Sequence, residues 1–459
     1  MVNICKIKSL YVKTCKTGII LLYINCEYCR SPLVYYRIHS TIKSDNCPSG
    51  ISKGGKILRT FKYLLIVILL LTIPFSFQAE PVSAAGKTYT ITPKSSPKNK
   101  SFKNYSTYNS STKHYYLLRS YLEAFETSGG GTLVLSKGTY TITNTLYVPS
   151  NVTIRLKDGA RLVKGTKTGT SKMKAAKSMF QLIRPTKANK SGVYGGYKGE
   201  KNISFIGEGK DAIIDLKYMK DSIAIIAGHN KNVTIKGITF KNMYSGHFIE
   251  MDATEKAVIS GNTFMDSKAS ANKNKEAINL DTPDKTTKGW SQKWSKYDKT
   301  PNKDVTIEKN TFQNLDRAIG THKYSGGKYH DRIAVKNNTI KKMRKDAIRV
   351  MNWSNTIITG NKIIDVDAKK NGLRGILVSG ASNPTIKNNT FEKVARAMQF
   401  IPWKNDGPGS QYAVTYNKLK SQNLKDIANN KAKNTVEKFV RVNSIYNEYS
   451  KGTQKIMLK

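Results

Sequence analysis

The sequence predicts an all-β protein built as a parallel β-helix, a single-stranded solenoid of short strands, with one helix closing its N-terminal end. Three observations predict this fold. A short phrase of the NTF type recurs along the chain, its apolar residues fall into columns when the copies are aligned, and one helical segment precedes the first strands. A single repeat cannot bury its apolar face, so we expect the copies to stack into one continuous core.

The N-terminal region has the pattern of an export signal. The basic segment 56–62 precedes an apolar stretch at 63–77, and residues 82–84 are small residues of the cleavage type. We therefore expect 56–85 to be a signal peptide, with no membrane segment left after its cleavage. Residues 1–55 do not fit in front of a signal, so we expect translation to begin after them. All five cysteines lie in that extension, which leaves the secreted part without disulfides or thiolate metal sites.

The charge of the chain bears on its partners. Lysine and arginine number 77 against 31 acidic residues, a net charge of +46. A secreted protein this basic attracts polyanions, and export argues against nucleic acid as the partner. We expect an acidic polysaccharide or an anionic cell-wall polymer, bound by a secreted, extracellular monomer that associates with the cell wall. In the alternative interpretation, the charge only keeps the protein soluble.

The segments before and after the repeats define the domain boundaries. Residues 86–113 are rich in Lys, Ser, Thr, Asn and Tyr, which predicts a flexible leader. Tyr115 to Gly131 then shows helical spacing of apolar residues and stops at glycines, as a helix that caps the first coil would. We expect the β-helix to span 114–412 and a last coil with its cap to span 413–459.

The repeated phrases begin at residues separated by 25, 47, 28, 23 and 28 positions. In register they give two apolar columns and an asparagine column at a turn, where the amides can hydrogen-bond along the stack. The first column is Ile235, Ile259, Ile307, Val335, Ile358 and Ile386; the second is Phe240, Phe264, Phe312, Ile340, Ile363 and Phe391; the third is Asn262, Asn310, Asn338, Asn361 and Asn389.

The helix, the passage GGGTLVLSKGTYTITNTLYVPSNVTI and the NTF-type coils resemble the pectate-lyase superfamily over roughly residues 113–410. The resemblance implies a right-handed helix of coils. It leaves the chemistry open, because that superfamily includes lyases, hydrolases, epimerases and non-catalytic spikes.

A second strand follows each NTF phrase: HFIEMD, EAINLD, RAIGTH, DAIRVM, RGILVS and RAMQFI. Their third and fifth residues are mostly apolar and should point inward, so the second, fourth and sixth should point outward on one face. Acids, an amide, an imidazole and a guanidinium then fall on four successive coils. The predicted catalytic residues are Glu250, Asp252, Asp281, His322 and Arg349, and the predicted substrate-binding residues beside them are His247, Asn279 and Arg317.

Loops beside this face carry aromatic and further polar residues. Aromatic faces next to polar groups commonly hold sugar rings, and the lysines of these loops could meet uronate carboxylates. The alternative is that the rings pack the loops onto the barrel. The predicted binding residues of the loops are Trp290, Trp294, Tyr297, Tyr324, His330 and Trp403.

Two cleavage chemistries fit these groups. In β-elimination, Arg349, Asn279 or a Ca²⁺ ion held by Glu250, Asp252 and Asp281 neutralises a uronate carboxylate, and His322 or Arg349 removes the neighbouring proton. In hydrolysis, two of the three carboxyl groups act as acid and as base or nucleophile, in an order similar to that of polygalacturonases. Elimination is slightly favoured. An epimerase, or a non-catalytic β-helix that binds polysaccharide or the cell wall, also fits the sequence.

Overall fold

The computed structural model describes residues 6–14, 20–27, 86–269, 275–366, 372–403, 415–444 and 453–459. The chain divides into two compact units, residues 1–78 and 79–459. In the first unit, strands Lys6–Thr14 and Ile20–Glu27 pair antiparallel as a hairpin. The predicted signal peptide, 56–85, lies outside the described residues.

The second unit is a right-handed parallel β-helix, as predicted. Its coils contribute strands to three long sheets, A, B and C, and each strand pairs with its counterpart on the next coil. Sheet A comprises Thr88–Ile91, Gly131–Leu135, Val152–Leu156, Lys201–Gly207, Lys231–Lys236, Glu255–Ser260, Lys303–Glu308, His330–Lys336, Ile357–Thr359 and Thr385–Lys387, with Trp353–Ser354 also paired to His330–Lys336. Sheet B comprises Gly138–Ile142, Ala160–Lys164, Ile213–Asp215, Thr239–Met243, Thr263–Ser267, Thr311–Leu315, Thr339–Met343, Lys362–Val366, Thr390–Val394 and Lys431–Lys433. Sheet C comprises Leu146–Tyr147, Ser178–Gln181, Ile223–Gly228, His247–Asp252, Glu276–Asp281, Arg317–Gly320, Ile348–Met351, Arg374–Ser379, Arg396–Phe400, Phe439–Asn443 and Thr453–Met457.

The predicted apolar columns are confirmed strand by strand. Each member of the isoleucine column pairs in register with the next in sheet A, and each member of the phenylalanine column does so in sheet B. The rings of Phe240, Phe264 and Phe312 stack with centroids 4.9 Å apart. Like residues therefore lie above like in one continuous core.

The asparagine column forms a buried ladder. Nδ2 of Asn338, for example, donates to Oδ1 of Asn361 at 2.9 Å and to the carbonyl of Ile307 at 2.9 Å. The backbone N–H of Asn338 donates to the same Oδ1 at 2.9 Å. Asn430, which the aligned phrases did not include, accepts from Asn389 and extends the ladder by one coil. The amides thus satisfy turn carbonyls that the core would otherwise bury without a partner.

A helix covers the first coil. Helix α1, Lys113–Ser128, packs an apolar face that includes Leu118 and Leu122 on the core and ends at Gly129, which has a left-handed φ of +82°. The expected flexible leader is corrected, because Thr88–Ile91 pairs with Gly131–Leu135 and extends sheet A. The 3₁₀ helix Lys100–Asn104 likewise buries Phe102, so apolar residues hold the leader on the solenoid.

The C-terminal end closes the stack. Helix α2, Ser421–Ala428, precedes the last strand of sheet B. Strands Phe439–Asn443 and Thr453–Met457 pair antiparallel at the end of sheet C, whereas the strands before them pair in parallel. A further short 3₁₀ helix spans Pro185–Lys187. Within the described ranges, no helix is long and apolar enough to span a membrane.

Candidate active site

Four residues on successive coils of sheet C form a row that we call the cleft column: Glu250, Asn279, Gly320 and Arg349. Each pairs in register with the next. Neighbouring strands lie about 4.8 Å apart, so residues distant in the chain become neighbours in space. A Cβ at Gly320 would lie 2.7 Å from the carbonyl oxygen of Arg349, so the close approach of the two strands requires glycine there.

The cleft column borders an open cleft of about 940 Å³. Loop 282–303 contributes Lys288 and Gln292 to its lining. Basic side chains exceed acidic ones, so the cleft favours an anionic ligand. Among the described residues, the charged lining consists of Lys177, Lys275, Lys288, Lys323 and Arg349 against Asp221 and Glu250, with His247 and His322 beside them.

His322 lies just beyond strand Arg317–Gly320, and Asp281 holds its backbone. Oδ1 of Asp281 accepts the N–H groups of His322 and Lys323, each at 3.0 Å. Nδ1 of the imidazole lies 3.0 Å from Oδ1 of Asn279, 3.2 Å from Oε2 of Glu276 and 3.5 Å from Oδ2 of Asp281. These three oxygens are acceptors when both carboxyl groups are ionised. Nδ1 therefore carries a proton, which leaves Nε2 as the nitrogen whose lone pair can accept one.

Glu276 is a site residue that the sequence analysis missed. It is fully buried, and its Oε1 accepts from Nη2 of Arg349 at 2.6 Å. Burial opposes its ionisation, but Arg349, His322 and Arg317 outweigh that effect and hold the pKa of Glu276 well below its usual value. The carboxylate thus joins the imidazole to the guanidinium.

The reason for the miss is an irregularity in the pairing at the start of these sheet C strands. The second residue of the phrases was expected to face outward, yet Phe248, Ala277 and Ala318 all belong to the hydrophobic core. The pairing of Glu276–Asp281 with Arg317–Gly320 passes over Ala277 and Ala318. Strict alternation from the inward third residue therefore does not hold for the first two residues of these strands. The first residue, such as Glu276 or Arg317, can carry a charged side chain there.

The first positions of four successive phrases alternate in sign, and we call Glu276, Arg317, Asp346 and Arg374 the charge ladder. Nε of Arg317 lies 3.9 Å from Oε1 of Glu276, and Nη1 of Arg317 donates to Oδ2 of Asp346 at 2.9 Å. Nε of Arg374 lies 2.9 Å from Oδ1 of the same aspartate. All four residues are buried, so each charge depends on its neighbours along the stack.

Asp252 and Asp281 pair in register in the same two strands that carry Glu250 and Asn279, and both are fully buried. Neither oxygen of Asp252 has a hydrogen-bond partner among the described residues. Burial, with the charges of Glu250 and Asp281 added to it, raises the pKa of Asp252 well above its usual value. Burial thus favours the protonated form of Asp252, whereas Asp281 positions the backbone of His322.

Glu250 differs from these aspartates because it lines the cleft. Burial raises the pKa of Glu250 to about 8, and the nearby charge of Asp281 contributes to the shift. At neutral pH the carboxyl group therefore holds a proton that it can give to a ligand in the cleft.

The ring of His247 packs against the ring of His322. The two rings stack with centroids 5.5 Å apart and planes at 25°. Nδ1 of His247 lies 2.6 Å from the carbonyl oxygen of Glu276, which only an N–H can satisfy. Burial is the main cause that lowers the pKa of His247 well below its usual value. His247 is therefore a neutral ring that fixes the plane of His322.

The predicted Ca²⁺ ligands do not converge. Within the described ranges, the group of His, Cys, Asp or Glu side chains whose donor atoms all lie within 4.8 Å of one another is His247, Glu276 and His322, and not Glu250, Asp252 and Asp281. Burial raises the pKa of Asp252 and so disfavours its carboxylate form, and Oδ1 of Asp281 already accepts two N–H groups. The residues present do not fit a calcium ion, which prefers ionised carboxylates.

Two of the predicted aromatic binding residues pack inside the protein. Trp290 and Trp294 are buried and pack edge to face, with ring centroids 5.3 Å apart. Nε1 of Trp294 donates to Oε1 of Gln181 at 3.1 Å, and a Cβ at Gly228 would lie 2.6 Å from the ring of Trp290. The prediction that these rings stack on sugars is therefore corrected, because they pin loop 282–303 onto sheet C.

The remaining predicted binding residues lie outside the cleft lining. Tyr324 and His330 are buried, and burial lowers the pKa of His330 to about 3, so it is neutral. Tyr297 and Trp403 are half-buried, with Nζ of Lys285 lying 5.1 Å from the centroid of Tyr297. Arg317 is held in the charge ladder and has no exposed face for a substrate.

Comparison with known proteins agrees with the fold. Residues 299–444 match the family described as "Right handed beta helix region". Over 253 residues the chain is 25% identical to plasmin and fibronectin-binding protein A of Streptococcus pneumoniae. The aligned region covers 51% of this chain and 34% of that protein. The chain thus spans about a third of the length of the curated relative it matches.

Among solved structures, the chain is similar to PfbA, a surface adhesin of Streptococcus pneumoniae, with a TM-score of 0.52 and 18% identity over 79% of this chain and 80% of that one. A family 28 exopolygalacturonase of Yersinia enterocolitica gives a TM-score of 0.41 and 13% identity over 71% and 68% of the two chains. Together with the sheet topology, the family match and the likeness to PfbA establish that the chain folds as a right-handed parallel β-helix.

Proposed function

We propose that the protein is an exported lyase that cleaves an acidic, uronate-containing polysaccharide by β-elimination. The observation that carries the proposal is the imidazole of His322, whose Nδ1 donates to Asn279 and lies near the carboxyl groups of Glu276 and Asp281, in a basic cleft beside the protonated carboxyl group of Glu250. A base and an acid are thus available to the same ligand.

The charge of the cleft supports the substrate class. Arg349 and Lys323 line the cleft next to His322, and Lys275 lies beside Glu276 at the start of its strand. These cations would neutralise much of the negative charge of a bound uronate carboxylate. That neutralisation makes the hydrogen on the adjacent carbon more acidic, which is the requirement for its removal.

The reaction needs one proton acceptor and one proton donor. Nε2 of His322 takes the hydrogen from the carbon next to the carboxylate, and the electron pair of that C–H bond forms the new carbon–carbon double bond. The bond to the glycosidic oxygen breaks, and Glu250 gives its proton to that oxygen. His322 ends protonated and Glu250 ionised, and exchange with solvent restores both.

Hydrolysis is less well supported. It requires two carboxyl groups that reach the sugar, one as acid and one as base or nucleophile. Of the three predicted carboxyl groups, Glu250 lines the cleft, whereas Asp252 and Asp281 are fully buried. The raised pKa of Asp252 also disfavours the carboxylate form that a base or nucleophile needs.

A second candidate is a non-catalytic adhesin that binds a polysaccharide or a host protein at the cell surface. The similarity to PfbA, described as a surface adhesin, and to a plasmin and fibronectin-binding protein favours it. In that case the cleft would bind an acidic ligand without turning it over.

The test is incubation of the purified protein with polygalacturonate, alginate and hyaluronan. Elimination gives an unsaturated uronate that absorbs in the ultraviolet, whereas hydrolysis gives new reducing ends without that absorbance. We expect ultraviolet-absorbing product from at least one polymer, and a loss of about 10²–10⁴-fold for His322→Ala and for Glu250→Gln. Glu308→Gln, which changes a half-buried acid outside the cleft lining, is the matched control.

Reducing ends without ultraviolet absorbance would replace elimination by hydrolysis. Binding without any product, equally strong in wild type, His322→Ala and Glu250→Gln, would replace the enzyme by the adhesin. A change in sugar stereochemistry without shortening of the polymer, seen by NMR, would indicate an epimerase.

A further inference from the structure

We infer that a second, tyrosine-lined pocket beside helix α1 extends the cleft and binds a remote sugar unit of the same polysaccharide chain. This inference rests on the proposed substrate class and adds a binding subsite to it. The pocket measures about 230 Å³, and its lining includes Tyr115, Arg119, Glu123, Thr145, Tyr147 and Pro185.

The pocket and the cleft share one surface. Tyr147 pairs in register with Gln181, Gln181 with Ile226, and Ile226 with Glu250, all in sheet C. Gln181 and Ile226 line the cleft, whereas Tyr147 lines the second pocket. The row of the cleft column therefore continues without a break into the pocket.

A hydrogen bond also joins the two linings. The hydroxyl oxygens of Thr145 and Ser178 lie 2.8 Å apart, with Thr145 in the pocket and Ser178 in the cleft. Tyr147 and Glu250 are three strands apart in sheet C, a distance of about 14 Å at the usual strand spacing. A polymer that lies along the sheet with its reacting unit at Glu250 would thus place a different, remote unit at Tyr147.

The chemistry of the pocket suits a uronate unit. The half-buried ring of Tyr147, together with Pro185, offers an apolar face of the kind that sugar rings pack against, whereas Tyr115 is buried behind it. The side chain of Arg119 is 35% exposed, and its Nε donates to Glu123 at 2.6 Å. A guanidinium has five N–H donors in a fork, so Arg119 can hold Glu123 and still meet a ligand carboxylate.

A remote subsite contributes binding energy that only long chains can use. The experiment therefore measures equilibrium binding of oligogalacturonates and hyaluronan fragments, from disaccharide to octasaccharide, by calorimetry. The full chain with His322→Ala is used so that the probes stay intact. We expect affinity to rise with length and Tyr147→Ala to lower the affinity for the longest fragments by about fivefold to tenfold, with little effect on disaccharides.

Tyr147→Phe keeps the ring face and should retain most of the length dependence. That result would show that Tyr147→Ala acts through loss of the ring that packs on the sugar and not through misfolding. Tyr416→Ala, which removes an exposed tyrosine outside both linings, is the matched control. If Tyr147→Ala leaves the length dependence as it was, the subsite does not exist, although the proposed substrate class stands. If no fragment of any length binds, the substrate class itself is wrong and the subsite is wrong with it.

Discussion

Nδ1 of His322 lies 3.2 Å from Oε2 of Glu276, although the two residues are 46 positions apart in the chain. The carboxylate also binds Arg349 and is fully buried, so it is ionised and fixed. With Oδ1 of Asn279, which lies 3.0 Å from the same nitrogen, it favours a proton on Nδ1 and so helps to orient the ring.

Replacement of Glu276 should affect turnover more than binding. In Glu276→Gln the amide cannot satisfy both His322 and Arg349, so the imidazole loses its fixed orientation. We expect kcat to fall by about 10–100-fold with a small change in KM, because misplacement of a reacting group by about 1 Å costs that much. An equal change for Glu308→Gln, or a change in KM alone, would contradict this role.

The pH dependence of turnover should report the proton on Glu250. Its pKa is about 8, so the carboxyl group can act as an acid below that pH and loses its proton above it. We expect kcat of the wild type to fall as pH rises through about 8. Glu250→Gln should have low activity without this alkaline fall, and an alkaline fall that persists in the variant would assign it to another group.

The protein should lose stability as pH rises, in part because of Asp252. Burial keeps this carboxyl group protonated in the folded state, whereas the unfolded chain ionises it above about pH 4. The unfolded state then binds fewer protons, so the free energy of unfolding decreases between about pH 4 and the raised folded pKa. Asp252→Asn should reduce the fall in Tm between about pH 5 and 8 by about 2–4 °C. Asp211→Asn, at an exposed acid, is the control, and an equal effect there would contradict the assignment.

The asparagine ladder should contribute more to the free energy of unfolding than surface asparagines do. Asn338→Ala removes donors to Ile307 and Asn361 and leaves the N–H groups of Asn310 without their acceptor. We expect the free energy of unfolding to fall by about 2–4 kcal/mol, measured by urea denaturation. Asn104→Ala, at an exposed site in the 3₁₀ helix, should change it by less than about 0.5 kcal/mol.

Binding of an acidic polymer should depend on salt through the cleft lysines. Lys288 is exposed and lines the cleft, whereas Lys309 is exposed but does not. We expect Lys288→Glu to weaken polygalacturonate binding by about tenfold at low salt and by less at high salt, because the interaction is screened. If Lys309→Glu weakens binding to the same degree, only the total charge of the protein matters.

Regular repetition made much of this protein predictable. The columns through Ile259, Phe264 and Asn310 follow from aligned phrases, because identical residues at one point of each coil must stack in register. The same alignment identified the neighbours Glu250 and Asn279.

The parts that could not be predicted lie where the repeated sequence pattern does not hold. Alternation holds along most of a sheet C strand but fails at its first two residues, so Ala277 turned inward and Glu276 became a site residue. Loop packing was also inaccessible, because whether Trp290 and Trp294 face solvent or the protein depends on Gly228, which lies on another coil. The sign pattern at the first position of the phrases was the available signal for Glu276.

The charge ladder restricts how this solenoid can change its length. Removal of the coil that carries Arg317 would set Glu276 against Asp346, two buried carboxylates, and take away the cation that they share. Removal of that coil together with the next would instead bring Glu276 to Arg374 and keep opposite charges in contact. Insertions and deletions in this part of the protein should therefore occur in even numbers of coils.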